Sequence, residues 1–311
     1  MLKLLAAAAV AATALLAPAA AHAHPVKEVK LPADYAVPAD IAAGPDGAVW
    51  AADGSLGRLW RISPKGRTSY VELGGGPAGV ATGPDGALWV TDRSSDRIQR
   101  VTTDGRVTNY PLPTAGAFPL DIVSGPDGAL WFTEGRADKI GRITTAGEVT
   151  EYPLPTADAF AADLTVGPDG ALWFTEQRGD KVGRITTAGE VTEFPLPAEA
   201  LPGPIAAGAD GAIWFAERNT NAIVRMTTTG TITRRFPLPA GADPLALLAT
   251  PRGLLIADHA GRALQHMSFG GCLTRALRLH SHPDALTLGP DGDVWYTSGD
   301  EGRVGHVRRR H

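Results

Sequence analysis

Gly125-Pro126-Asp127-Gly128-Ala129-Leu130-Trp131-Phe132-Thr133-Glu134 decides the fold, because the chain keeps returning to it. Copies of this turn-plus-apolar phrase begin at Gly44, Gly83, Gly125, Gly167, Gly208, Thr250 and Gly289, at intervals of 39, 42, 42, 41, 42 and 39 residues. Pro126 presets φ, Asp127 offers an Asx-type side chain and Gly128 can take a positive φ, so the backbone reverses tightly there. Residues 129–134 then read as an aromatic-rich strand. Working outward, residues 121–124 form a short apolar strand before the turn, and residues 139–144 alternate polar with apolar. After a second turn at Ala146-Gly147, residues 148–152 make a fourth strand, stopped by Pro153 and Pro155. Proline cannot donate to a ladder, so its place is an outer strand or the exit from one.

Self-similarity at about 40 residues signals stacked supersecondary units that bury their apolar faces only against one another. Four antiparallel strands per unit, seven units and no helical period predict an all-β, seven-bladed β-propeller. A leucine-rich solenoid needs one strand per repeat, and a helical array needs a 3.6 period. The last copy stops at its third strand, residues 302–307, and residues 26–32 match residues 149–155 position for position. The N-terminal segment therefore supplies the missing outer strand and closes the ring, which removes the exposed edges of an open array.

Residues 1–23 have the regions of a secretory signal: Met1-Leu2-Lys3, an Ala/Leu run to Ala17, and Ala21-His22-Ala23 at the cut. Residues 24–311 are then expected as one propeller domain, secreted or periplasmic, monomeric, with no membrane span. With 29 basic and 33 acidic residues, net charge −4, the chain lacks the basic stripe that nucleic acid requires. Arg308-Arg309-Arg310 reads as a solvated tail. Cys272 is the only cysteine, which leaves no intramolecular disulfide, and it reads as a bystander thiol or a chance pairing between chains.

Ligands of a propeller bind where loops converge on the mouth of the central channel. The second strands end there with Asp53, Asp92, Glu134, Glu176, Glu217, Asp258 and Ser298, and the inner strands begin with Asp40, Gly79, Asp121, Asp163, Pro204, Ala246 and Ala285. This predicts an acidic face. A ligand-binding set of Asp40, Asp121, Asp163, Glu134, Glu176 and His280 follows. Two readings of the carboxylates stand side by side. They hold a hard cation, Mg²⁺ or Ca²⁺, or each accepts N–H bonds in its own turn or pairs with a following basic residue, as Glu134 with Lys139 and Glu176 with Lys181.

The repeat fails most in its last two copies. Leu255 replaces the Trp ahead of Asp258-His259, residues 280–284 read His-Ser-His-Pro-Asp, and Ser298 stands where an acid is expected. His259 and His282 are the candidate bases, since imidazole beside a carboxylate suits proton abstraction near neutral pH. Asp284, Asp258 and Glu217 are the candidate metal ligands. His266, His306 and His311 fall on outer strands or the tail and read as structural or incidental.

The phrase Gly-Pro-Asp-Gly-Ala-Leu-Trp-Phe-Thr-Glu, followed by Asp180-Lys181-Val182-Gly183-Arg184-Ile185-Thr186 and residues 189–197, resembles the streptogramin B lyase, or virginiamycin B lyase, family over all seven repeats. The resemblance implies a seven-bladed propeller and Mg²⁺-dependent opening of a cyclic depsipeptide at its ester bond, by elimination. It implies an acid-Pro-His motif entering the last inner strand, a carboxylate after the last Trp-aromatic pair and a Pro-His one blade earlier. Here these read His282-Pro283-Asp284, Trp295-Tyr296-Thr297-Ser298 with carboxylates only at Asp300 and Glu301, and Pro244-Leu245. Two functions are thus in view: a carbon–oxygen lyase acting on a depsipeptide or lactone with Mg²⁺ (or Ca²⁺) and no organic cofactor, or a non-catalytic binding propeller for a small ligand, glycan or protein.

Overall fold

The computed structural model describes residues 26–274 and 276–308. Residues 1–23, read above as a secretory signal, His311 and the Arg309-Arg310 end of the tail lie outside the described residues. Seven four-stranded antiparallel sheets stand as blades around a central channel. Blade 3 shows the plan: inner strand Pro119–Ser124, second strand Leu130–Glu134, third Lys139–Ile143, outer Val149–Pro153. The strand boundaries read from turn residues and alternation hold within one or two residues.

Closure occurs as expected. Val26–Lys30 pairs antiparallel with Arg303–Val307, in register from Val26 opposite Val307 to Lys30 opposite Arg303, and completes blade 7. Tyr296 and Ser281 then donate hydroxyl hydrogen bonds to Glu28 at 2.7 and 2.9 Å, tying the first strand to the last blade. No helix among the described residues is long and apolar enough to cross a membrane.

The core lies between blades, not inside them. Trp50 of blade 1 packs with Val80, Leu88 and Val90 of blade 2, and Trp295 of blade 7 with Ile41, Val49 and Ala51 of blade 1. Each Trp is anchored by the turn of its own phrase. In blades 1 to 5 the turn Asp (46, 85, 127, 169, 210) accepts the Trp Nε1–H on Oδ1 at 3.0 Å. Its Oδ2 accepts an Arg Nε–H from the third strand at 2.5 to 2.8 Å. Gly125 is obligatory here, since a Cβ on it would stand 2.4 Å from Trp131. Gly128 sits at φ +75°, the left-handed region that closes the turn.

Partial burial works to raise the Asp127 carboxyl, but hydrogen bonds from Trp131 and Arg142 outweigh it and hold the group below the ordinary carboxylate range. Asp46, Asp85, Asp169 and Asp210 are lowered for the same reasons. A depressed folded pKa contributes stability that is complete above the unfolded value and is lost as pH falls through the folded one. Asp127→Ala should therefore cost about 1–3 kcal/mol, the penalty for a buried donor left without its partner. Asp127→Asn should also flatten the loss of melting temperature on acidification below about pH 4. An acid profile identical to the parent's would show that the carboxylate does not brace the blade.

Candidate functional site

The carboxylates at the ends of the second strands do not ring the mouth; all are buried in their own blades. Asp53 accepts the amides of Val37, Ser55 and Leu56 and the Trp60 indole N–H at 2.9 Å. Asp92 takes Gly76 N–H and Arg97 Nε–H, each at 2.8 Å. Glu217 is held by the Arg235 guanidinium at 3.0 Å and by Thr220. Asp258 accepts from Asp243 N at 3.1 Å, Gly261 N at 2.9 Å and Gln265 Nε2 at 3.2 Å. The oxygens of Glu217 and Asp258, expected as metal ligands, thus have loop and strand partners within blades 5 and 6.

Glu134 and Glu176 differ again. The expected pairing with Lys139 and Lys181 does not form, since Lys139 Nζ turns to Glu151 at 2.6 Å and Lys181 Nζ to Glu193. Both oxygens of Glu134 and of Glu176 are buried and without a hydrogen-bond partner. Burial, reinforced by the charges of Glu151 and Glu193, pushes the two groups up to about 8 and about 7. Both groups therefore titrate near neutral pH instead of at about pH 4.

On the inner strands, Asp40, Asp121 and Asp163 line a central cavity of about 590 Å³. Each also clasps the next blade, with Val80 N donating to Asp40 at 2.8 Å, Leu164 N to Asp121 at 3.0 Å and Ile205 N to Asp163 at 2.9 Å. Burial, and then the charge of Asp121, raises Asp40 to about 7. Asp121 is raised well above the ordinary carboxylate range by burial first, and then by the charge and hydrogen bond of Asp163. The rim above is not uniformly acidic. In blades 2 to 5 the buried acid is followed by Arg93, Arg136, Arg178 or Arg218. Arg136 and Arg178 lie over Phe118 and Phe160 at 4.0 and 4.7 Å, and Arg218 reaches both the cavity and Asp243, at 2.9 Å.

Opposite this arc, the irregular residues of blades 6 and 7 converge. His259 Nδ1 lies 2.8 Å from Asp284 Oδ1, whose other oxygen accepts Gly299 N at 2.6 Å. The carboxylate therefore takes the Nδ1–H and leaves His259 Nε2 with its lone pair, 3.6 Å from Asp300 Oδ2. His282 stacks on His259 with ring centres 4.8 Å apart. Its Nε2 accepts Arg262 Nε–H at 2.9 Å, and its Nδ1–H is shared with Glu301 at 2.9 Å. Ser298 donates to Glu301, and Asp284, raised by burial, also borders the cavity. His280 contributes only its carbonyl, to Arg262 Nη1 at 3.2 Å; its side chain is exposed outside the cluster. Arg262 is a functional residue that sequence reasoning missed, although a signal was there: it stands where blades 2 to 5 carry Asp96, Asp138, Asp180 and Asn221, so it too breaks the repeat.

Three donors converge closely enough for a metal: His259, His282 and Asp300, with ligand atoms within 4.8 Å of one another. Mg²⁺ and Ca²⁺ take oxygen ligands almost exclusively. Two imidazole nitrogens to one carboxylate do not fit the hard cation expected.

Fold and site together define a seven-bladed propeller with a histidine–carboxylate cluster on one side of its channel mouth. The chain belongs to the virginiamycin B lyase family, which it matches over residues 24–275. A solved streptogramin B lyase superposes with a TM-score of 0.85 at 30% identity, covering 91% of this chain and 97% of that one. Selenomethionine-substituted virginiamycin B lyase from Staphylococcus aureus gives 0.85 at 29% identity, with 92% and 99% covered. A catalytically inactive histidine-to-alanine variant of the S. aureus enzyme, crystallised with quinupristin, gives 0.84 at 29% over the same shares. No curated protein sequence matches the chain.

The orphan acids generate a test. A carboxyl whose folded pKa is raised stabilises the fold below its unfolded value, and that contribution is lost as pH rises through the folded one. The double variant Glu134→Gln, Glu176→Gln should melt with the parent near pH 5 and a few degrees above it near pH 9, read by circular dichroism. Equal melting temperatures at the alkaline end would show that both acids are ionised at no cost.

Proposed function

We propose that the chain is a carbon–oxygen lyase that opens a cyclic ester, a depsipeptide or lactone, by elimination, with His259 as the base. The observation that carries this is the 2.8 Å contact of His259 Nδ1 with Asp284 Oδ1 beside the 590 Å³ cavity. Asp284 fixes the tautomer and orientation of the ring and stabilises the imidazolium that forms, so Nε2 is the atom that accepts the proton. The proton leaves the carbon next to a carbonyl and its electron pair becomes a C=C bond. The adjacent C–O bond breaks, and its electrons depart with the carboxylate oxygen. Arg262, bridging His282 and His280, is the cation held in the same cluster. No step is assigned to Mg²⁺, because the convergent donors do not suit it. Membership of a family with a quinupristin-bound relative supports a cyclic depsipeptide as the ligand class. Export of a monomer to the periplasm or medium completes the reading and rests on residues 1–23.

One observation favours binding without turnover. Ser298 stands where the resemblance implies a carboxylate, and its hydroxyl is committed to Glu301. Incubation with a streptogramin B, followed by mass spectrometry, separates the two readings. The lyase reading expects a ring-opened product of unchanged mass, and His259→Ala lowers kcat/KM by about 10²–10⁴-fold while the ligand still binds. Asp284→Asn should lower kcat more than it raises KM, since it acts through the ring of His259. Binding with no product at high enzyme concentration would leave the binding propeller standing.

A further inference from the structure

On the face opposite the channel mouth, blade 7 alters the brace that blades 1 to 5 share. Trp295 and the turn carboxylate Asp291 are kept. The third-strand residue opposite the Trp, an Arg in those blades, is His306, and the residue two after the turn Asp, otherwise Ala, is Asp293. One balanced Asp–Arg pair is thereby replaced by two carboxylates and an imidazole. His306 is only 5% exposed, and its ring lies flat on Trp295, 4.3 Å between centres and 13° from parallel. Its orientation is fixed. Nε2 points at the carboxylates, 2.8 Å from Asp293 Oδ2 and 3.6 Å from Asp291 Oδ2. Asp291 has moved off the indole: Trp295 Nε1 to Asp291 Oδ1 is 3.4 Å, against 3.0 Å in blades 1 to 5.

We infer that His306, Asp293 and Asp291 form a structural site for a borderline divalent transition ion such as Zn²⁺. The three ligand atoms lie within 4.8 Å of one another. An ion about 2.0–2.2 Å from each donor sets tetrahedral ligands about 3.4 Å apart, so the groups need only small shifts to close on it. One imidazole with two carboxylates selects such an ion over Mg²⁺ or Ca²⁺, which prefer all-oxygen sets. Asp291 is the open side, with a side chain 31% exposed, and a water there completes the coordination. The ion replaces the missing guanidinium: it draws the turn and the third strand together in the blade that the N-terminal strand closes.

The test is calorimetric titration of the metal-stripped full chain with ZnCl₂, alongside melting curves. The His259, His282 and Asp300 cluster can also take zinc, so the count must come from variants of this blade. His306→Arg restores the brace of the other blades and should fold, bind one equivalent fewer and lose the zinc-dependent rise of a few degrees in Tm. Asp293→Ala, which restores the residue found in blades 1 to 5, should weaken the same equivalent at least tenfold. No zinc binding by the parent, or the same stoichiometry and affinity in both variants, would overturn the proposal and leave an imidazolium–carboxylate pair only.

Discussion

A carboxylate at the tip of a tight turn, held between an indole N–H and a guanidinium, is the constraint on which this ring rests. In blades 1 to 5 it sets the orientation of the repeated Trp, and through the Trp the surface each of these blades offers its neighbour. Asp127 illustrates the order of dependence. Its bond to Trp131 fixes the indole, Trp131 packs with Leu164, Leu172 and Phe174 of blade 4, and the angle between the blades follows. Hydrophobic burial supplies most of the stabilisation in such a contact. The brace determines where that apolar area goes.

A structure built this way leaves few free polar groups in its regular parts. Ladders use the backbone, turns use the Asp residues, and the second-strand acids of blades 1, 2, 5 and 6 are taken up by loop amides or basic side chains. Groups free to bind a ligand are then found where the phrase breaks. In blade 6, which lacks the Trp, the outer strand shrinks to Leu277–Arg278, and His259 and Arg262 come to face two loops of blade 7, one carrying His282 and Asp284 and the other Asp300 and Glu301. The opposite side of the mouth keeps the repeat and presents arginines. The resulting polarity across the cavity suits a ligand with distinct ends.

Much of this was legible in the residues. Blade number, strand bounds and closure by residues 26–30 follow from turn chemistry and two-residue alternation, which act over a few neighbouring positions. The meeting of His259 with His282 and Asp284 was legible as well, because those residues interrupt an otherwise strict pattern. Less was legible of the carboxylates. Asp53 and Glu134 occupy the same place in the phrase, yet the first accepts three amides while the second, one methylene longer, has no partner and is pushed up to about 8.

By itself, then, the sequence determined the repeat, the seven-bladed ring, its closing strand and the blades in which the pattern lapses. Only the tertiary structure decided which acids are buried and satisfied, which titrate near neutral pH, and which imidazole nitrogen is left free. The reason lies in range. Turns and strand periodicity are set by neighbours along the chain, whereas the charge state of Glu134, Asp40 or Asp284 depends on burial and on partners in other loops and blades, and a phrase repeated every forty residues does not encode them.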